Sequence, residues 1–254
     1  MVTAVESILR AHNLFSHLND GITVCHVKDA VSGQDLATEI LYTIIDTKMA
    51  LYLSGGSTPK ALYQKLAQEE KLIAGAIGEV DERYGRPLHD NSNQKMIDDT
   101  GLLRYLQMRN IRFYPILQSD LSREETADAY DQTARSLHAT FQQSVAILGI
   151  GADGHTAGIA GNRQNFKNSL FEVDKKHLLV SEFNDEKGYF KERVTMTFLG
   201  LSMLDLLVVL VFGDDKKDAL EKMFEDGNET EIPARFYKRP EIAKKTIIIT
   251  DQVI

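Results

Sequence analysis

The stretch Ala50-Leu51-Tyr52-Leu53-Ser54-Gly55-Gly56-Ser57-Thr58-Pro59 decides the fold class. Ala50 to Leu53 reads as a short apolar strand. Two glycines and three hydroxyls turn the chain, and Pro59 to Gln68 reads as a helix with its proline in the first turn. The same alternation recurs on both sides. Upstream, Ile22 to Val27 reads as a strand and Asp35 to Met49 as a helix with Leu36, Ile40, Leu41 and Ile44 on one face. Downstream come a strand end at Gly78 to Asp81, a helix over Ser92 to Gln107 with Ser92 as N-cap, and a strand at Ile111 to Tyr114. A long helix over Ser122 to Phe141 opens with the capping-box pair Ser122 and Glu125. Val145 to Ile150, His177 to Val180, Val194 to Phe198, Leu206 to Phe212 and Thr246 to Thr250 read as strands, with a helix over Lys216 to Phe224. Strands alternating with helices, the central strands apolar throughout, predict an α/β fold whose mainly parallel sheet is covered on both faces.

Composition narrows the function classes. The chain has 254 residues, 43% hydrophobic and 26% charged, with no repeat or linker, so residues 1–254 are expected to form a single domain. With 29 Lys plus Arg against 37 Asp plus Glu, the net charge of −8 repels nucleic acid and anionic membranes on average. An anionic small ligand therefore needs a local site. One cysteine, Cys25, excludes an intrachain disulfide, and Met1 to Arg10 lacks a signal-peptide pattern, so a reducing, cytoplasmic setting is expected. The longest apolar run is seven residues, Leu206 to Phe212, against about 20 for a membrane helix.

In parallel sheets ligands bind beyond the carboxyl ends of strands, so the loops there carry the argument. The turn Ser54 to Thr58 offers free N–H groups at a helix start, with Ser57 or Thr58 as cap. That suits an anion, although a plain capped turn looks the same. It lacks the P-loop pattern. Next, Asp81-Glu82-Arg83 ends a strand. Arg83 can give a phosphate two parallel hydrogen bonds, and Asp81 can accept from a sugar hydroxyl or water. Third, Gly149-Ile150-Gly151-Ala152-Asp153-Gly154-His155-Thr156-Ala157-Gly158 places a histidine suited to general-base work two residues from an aspartate able to orient it.

These three motifs, in this order, resemble the 6-phosphogluconolactonase family, which shares its fold with glucosamine-6-phosphate isomerase/deaminase. Asp90-Asn91-Ser92-Asn93, Arg193-Val194-Thr195-Met196-Thr197, Leu206 to Leu220 and Pro233-Ala234 extend the resemblance over roughly residues 20 to 250. It implies a three-layer α/β/α sandwich with a Rossmann-like sheet, hydrolysis of 6-phosphogluconolactone to 6-phosphogluconate in the pentose phosphate pathway, and no metal or organic cofactor. The phosphate is then expected at Ser54, Gly55, Gly56, Ser57, Thr58 and Arg83, with Asp81 beside it. His155 is the expected base, oriented by Asp153. The family's substrate-side lysine falls on Lys187 or Lys191, in a segment one residue longer than the family pattern. The resemblance leaves the oligomeric state open.

Two other readings use the same fold. A deaminase would use Asp81 to move a proton between carbons. Deaminases, however, resemble Asp-Glu-Tyr where this chain has Arg83, and they carry a glutamate five residues after the histidine where this chain has Ala160. A sugar-phosphate sensor without catalysis would have no use for His155. Both comparisons favour the lactonase.

Overall fold

A computed structural model of the chain describes residues 1–163, 170 and 178–254. Helix α1 (Val2–Ala11) leads into a hairpin of β1 (Ser16–Asn19) and β2 (Ile22–His26). Then α2 (Ala30–Ile44), β3 (Met49–Leu53), α3 (Ser57–Glu69), β4 (Ala76–Glu79) and β5 (Asp81–Arg83) follow. The chain continues through α4 (Asn93–Asp99), α5 (Leu102–Met108), β6 (Arg112–Tyr114), α6 (Arg123–Thr140) and β7 (Gln143–Gly149). Beyond these lie β8 (Val180–Asn184), β9 (Glu192–Met196), α7 (Phe198–Ser202), β10 (Leu206–Val211), α8 (Lys217–Phe224), α9 (Pro240–Ala243) and β11 (Thr246–Thr250).

The main sheet has the order β1-β2-β11-β10-β7-β3-β4-β6. Its β1–β2 edge pairing is antiparallel and its other pairings are parallel. Side chains alternate between two apolar layers. Leu51, Leu53, Val145, Ile147 and Val208 pack with α2 and α3. Tyr52, Ala146, Leu148, Val209 and Ile248 pack with α6 and the late helices. This is the α/β/α layering the sequence predicts. From β3 the chain steps outward to β4 and β6, then returns to β7 and steps the other way to β10 and β11. Strand order reverses between β3 and β7, and a crevice opens there above their carboxyl ends.

A second sheet, β5-β9-β8, is antiparallel and separate from the first. The sequence reading did not anticipate it. β4 passes through Val80 directly into β5, and Met196 N donates to Val80 O at 2.8 Å, so the small sheet hangs from the end of the large one. Other boundaries also differ from expectation. α2 begins before Asp35, because the Asp29 carboxylate accepts from Ser32 N at 2.9 Å and caps it, and it ends where Ile45 turns extended. The helix expected over Ser92 to Gln107 is two helices, broken at Gly101 with φ of 84°. Of the strand expected over His177 to Val180, His177 lies outside the described residues, and the observed strand starts only at Val180 and runs to Asn184. Phe198 starts a helix rather than ending a strand. The Ser122–Glu125 capping box is present. Among the described residues no helix is long and apolar enough to cross a membrane.

One buried side chain bolts α6 to the strand end that carries the second sheet. The Tyr130 hydroxyl, fully buried, donates to Glu79 O at 2.8 Å and accepts from Glu79 N at 2.6 Å. Tyr130→Phe removes both bonds at almost constant volume. It is expected to cost about 1–3 kcal/mol, the penalty for buried polar groups that lose a partner. Urea denaturation measures this, and an unchanged midpoint would refute it.

Candidate active site

A cleft of about 240 Å³ opens at the crevice between β3 and β7. Its floor on the β3 side is the turn Ser54 to Thr58. Ser54 N donates to Ile147 O of β7 at 3.2 Å, and Ser54 O accepts from the buried Tyr63 hydroxyl at 2.8 Å, so the turn is pinned at its base. The cap expected from Ser57 or Thr58 is not there. Gly56 is the N-cap of α3, with φ of 101° and no side-chain cap, and Ser57 and Thr58 are the first two helical residues. Their N–H groups precede any intrahelical partner, so they and the positive end of the helix dipole remain for an anion.

The second wall comes from the small sheet. Asp81 and Arg83 lie on β5, with Arg193 opposite Arg83 on β9. Asp81 does not stand free for a sugar hydroxyl. Its Oδ2 is 2.7 Å from Arg193 Nη2, in a pair whose side chains are only 7% and 11% exposed. Arg83 Nη1 donates to Asn91 O at 2.8 Å, and its guanidinium lies 4.6 Å from the Phe190 ring centre. Arg83 Nε, Arg193 Nε and Ser54 Oγ line the same cleft, buried and without a hydrogen-bond partner among the described residues.

The third wall is the loop after β7. His155 Nδ1 lies 2.5 Å from Asp153 Oδ1, and His155 N also faces that oxygen at 3.2 Å. The hydrogen bond from the imidazole holds the Asp153 carboxyl well below the usual carboxylate range. An ionised carboxylate only accepts, so Nδ1 carries the hydrogen and Nε2 of neutral His155 keeps its lone pair. The ring lies on Gly151: a Cβ there would stand 2.0 Å from His155 Cε1, so only glycine fits. Thr156 braces the loop, with its hydroxyl 3.0 Å from Gly149 O and 2.6 Å from the buried Tyr237 hydroxyl.

Ser54, Gly55, Gly56, Ser57, Thr58, Asp81, Arg83 and His155 thus share one cleft. Asp153 stands behind His155 in an adjoining hollow of about 430 Å³. Lys187 lies in that hollow rather than in the cleft, with Nζ donating to Asn162 O at 3.1 Å. Three cleft residues were not picked out from sequence: Arg193, Lys216 and Asn93. Lys216 follows Gly213 after β10, so the rule of searching loops beyond strands applied to it as well. Arg193 and Asn93 stood inside quoted motifs, but only their pairing with β5 reveals a place in the site.

The sequence profile of the family described as glucosamine-6-phosphate isomerases/6-phosphogluconolactonase matches residues 30–247. A 6-phosphogluconolactonase of Rhizobium meliloti (strain 1021) is 32% identical over 187 residues, covering 73% of this chain and 78% of that protein. The solved 6-phosphogluconolactonase of Thermotoga maritima is 27% identical with a TM-score of 0.68, covering 89% of this chain and 98% of that one. For the fold alone, the 6-phosphogluconolactonase of Plasmodium vivax superposes with a TM-score of 0.74 at 20% identity, covering 99% and 96%. The ordered loops, the reversal of strand order beneath them and these likenesses together place the chain in the glucosamine-6-phosphate isomerase/6-phosphogluconolactonase family.

Proposed function

We propose that this chain hydrolyses 6-phospho-D-glucono-1,5-lactone to 6-phosphogluconate, with His155 as general base. The observation that carries the reading is the orientation of His155. A carboxylate holds its Nδ1, and its ring borders the same cleft as the unspent N–H groups of α3 and three basic side chains, Arg83, Arg193 and Lys216. The phosphate sits on the Gly56 to Thr58 turn with Lys216 beside it, and Arg83 adds a charged donor. His155 Nε2 takes a proton from water as the water oxygen bonds to C1. The carbonyl electrons move onto oxygen, then return as the C1–O5 bond breaks. The proton passes from His155 to the departing ring oxygen. The product acid ionises in solution. Asp153 stabilises the transient imidazolium and keeps the ring aligned. The substrate is a small-molecule sugar phosphate.

The test is an assay with freshly generated lactone coupled to 6-phosphogluconate oxidation and corrected for spontaneous hydrolysis. Enzymatic turnover is expected. Ammonia release from glucosamine 6-phosphate is not expected, because Asp81 is tied to Arg193 and position 160 offers no carboxylate. Ammonia release without lactone turnover would assign the sister activity, and binding without turnover of either would assign a sensor. Arg83→Ala is expected to weaken 6-phosphogluconate by about 1.5–3 kcal/mol, the worth of a charged hydrogen bond, and to leave unphosphorylated gluconate unaffected. Equal losses by calorimetry would remove Arg83 from the phosphate site.

A further inference from the structure

Glu82 faces away from the cleft. It lies between Asp81 and Arg83 on β5, and strand alternation sends its side chain to the opposite face. It is fully buried, yet both carboxylate oxygens are engaged. Oε1 accepts from the backbone N–H of Arg83 at 2.6 Å and of Asn93 at 2.7 Å, and Oε2 accepts from Gln94 N at 2.9 Å. Asn93 and Gln94 are the first two residues of α4, and the third, Lys95, donates to Ser92 Oγ at 2.9 Å. Side chains therefore close the first three N–H groups of α4. One buried negative charge at the positive end of the helix closes two of them.

Asn93 carries the connection onward. Its Nδ2 donates to Asp81 O at 2.7 Å, and because a carbonyl only accepts, this fixes which way the amide points. The amide then lies against Gly55, where a Cβ would stand 1.8 Å from Asn93 Oδ1. Gly55 is required here for close approach rather than for its backbone angle. A continuous set of contacts runs from Arg83 through Glu82 and Asn93 to the glycine turn of α3. It ties together two phosphate-binding elements that lie on different sheets.

We propose that Glu82 is a positioning residue whose buried carboxylate holds Arg83 and the Gly55–Gly56 turn in the mutual geometry that grips the substrate phosphate. The identity of the ligand rests on the lactonase reading above. The charge matters as well as the shape. A protonated acid, or an amide, puts a hydrogen where an N–H now donates, so the first turn of α4 loosens from β5 and the Asn93 contact with Gly55 slackens.

Burial pushes the Glu82 carboxyl up to about 7, against the pull of its three N–H donors, with the Asp81 charge adding to the rise. The charged groups around it are Glu79 at the end of β4, Asp81 and Arg83 on the opposite face of its own strand, and Glu182 of β8, which shares its face of the small sheet across Val194. Arg193 of β9 reaches it only through Asp81, and α4 offers backbone donors. Burial raises the Glu79 carboxyl well above the ordinary carboxylate range, with the Glu82 charge adding to the rise. Affinity for the phosphate end should therefore weaken as pH falls through neutrality.

The test uses Glu82→Gln, which keeps size and loses charge. KM for the lactone is expected to rise about tenfold or more while kcat stays within about threefold, because the base is untouched. Gluconate 6-sulfate keeps both its charges, sulfate and carboxylate, between about pH 6 and pH 8, so its affinity reports the protein alone. It should weaken toward acid in the wild type and lose that dependence in Glu82→Gln. An unchanged KM, a kcat that falls as much as kcat/KM, or a variant with the wild-type pH dependence would overturn the proposal. If Glu82→Gln does not fold, Asn93→Ala cuts the link to Gly55 and leaves the carboxylate in place. The same rise in KM is then expected, and an unchanged KM overturns the proposal. Wild-type protein that shows this pH-dependent binding but turns over no lactone would defeat the lactonase reading and leave the role of Glu82 standing.

Discussion

His155→Ala is expected to lower kcat for lactone hydrolysis by about 10²–10⁴-fold, the contribution of a positioned general base. Binding of 6-phosphogluconate should change little, because in the proposed mechanism the imidazole acts on water while the phosphate is held at the turn Ser54 to Thr58. The split between kcat and KM is the informative measurement. A parallel loss of affinity would mean that the ring binds the sugar instead of activating water. Asp153→Asn should fall between wild type and His155→Ala. It keeps a hydrogen-bonding side chain but removes the charge that stands 2.5 Å from the imidazole Nδ1. An unchanged kcat in His155→Ala would end the mechanism.

Arg193→Ala carries the largest expected loss of stability. It strands Asp81 in a nearly buried position without the guanidinium 2.7 Å away. Breaking a buried pair from one side costs about 3–5 kcal/mol, mostly through the uncompensated charge that remains. For a chain of this size that is a fall of roughly 6–20 °C in Tm, at ~2–4 °C per kcal/mol. A further outcome identifies the cause. A double substitution to Asp81→Asn and Arg193→Met should recover much of it, since it removes the stranded charge. A Tm close to that of the wild type would show that the pair does not hold β5 to β9.

The sequence discloses this site where function depends on a short continuous stretch. The turn Ser54 to Thr58, the Asp81–Arg83 strand end and the His155 loop are each legible because glycines, hydroxyls and charges follow an apolar strand within a few residues. What depends on distant pairing is not. β5 is three charged residues long, and only its ladder to β9, more than a hundred residues away, makes it a strand and brings Arg193 to Asp81. The helix start at Asp29 was missed because its cap is a single side-chain bond lying before the apolar periodicity begins. The break at Gly101 was missed because the periodicity on either side is helical. Lys187, in a segment one residue longer than the family pattern, stands in the hollow that adjoins the cleft and shares Arg83, His155, Gly158 and Arg193 with it.

The crevice between β3 and β7 also works as a gauge. The turn proposed to take the phosphate and the loop that carries His155 hang from two strands locked in register, Tyr52 opposite Ala146 and Leu53 opposite Ile147. Their separation follows from the backbone ladder, about 4.8 Å between neighbouring strands. Point substitution on either loop can alter what is gripped at each end but hardly the span between them. On the proposed lactonase reading, the distance from phosphorus to the attacked carbonyl is therefore read by main chain. A lactone phosphate one carbon shorter or longer would place one end correctly and miss at the other, whatever side chains surround it.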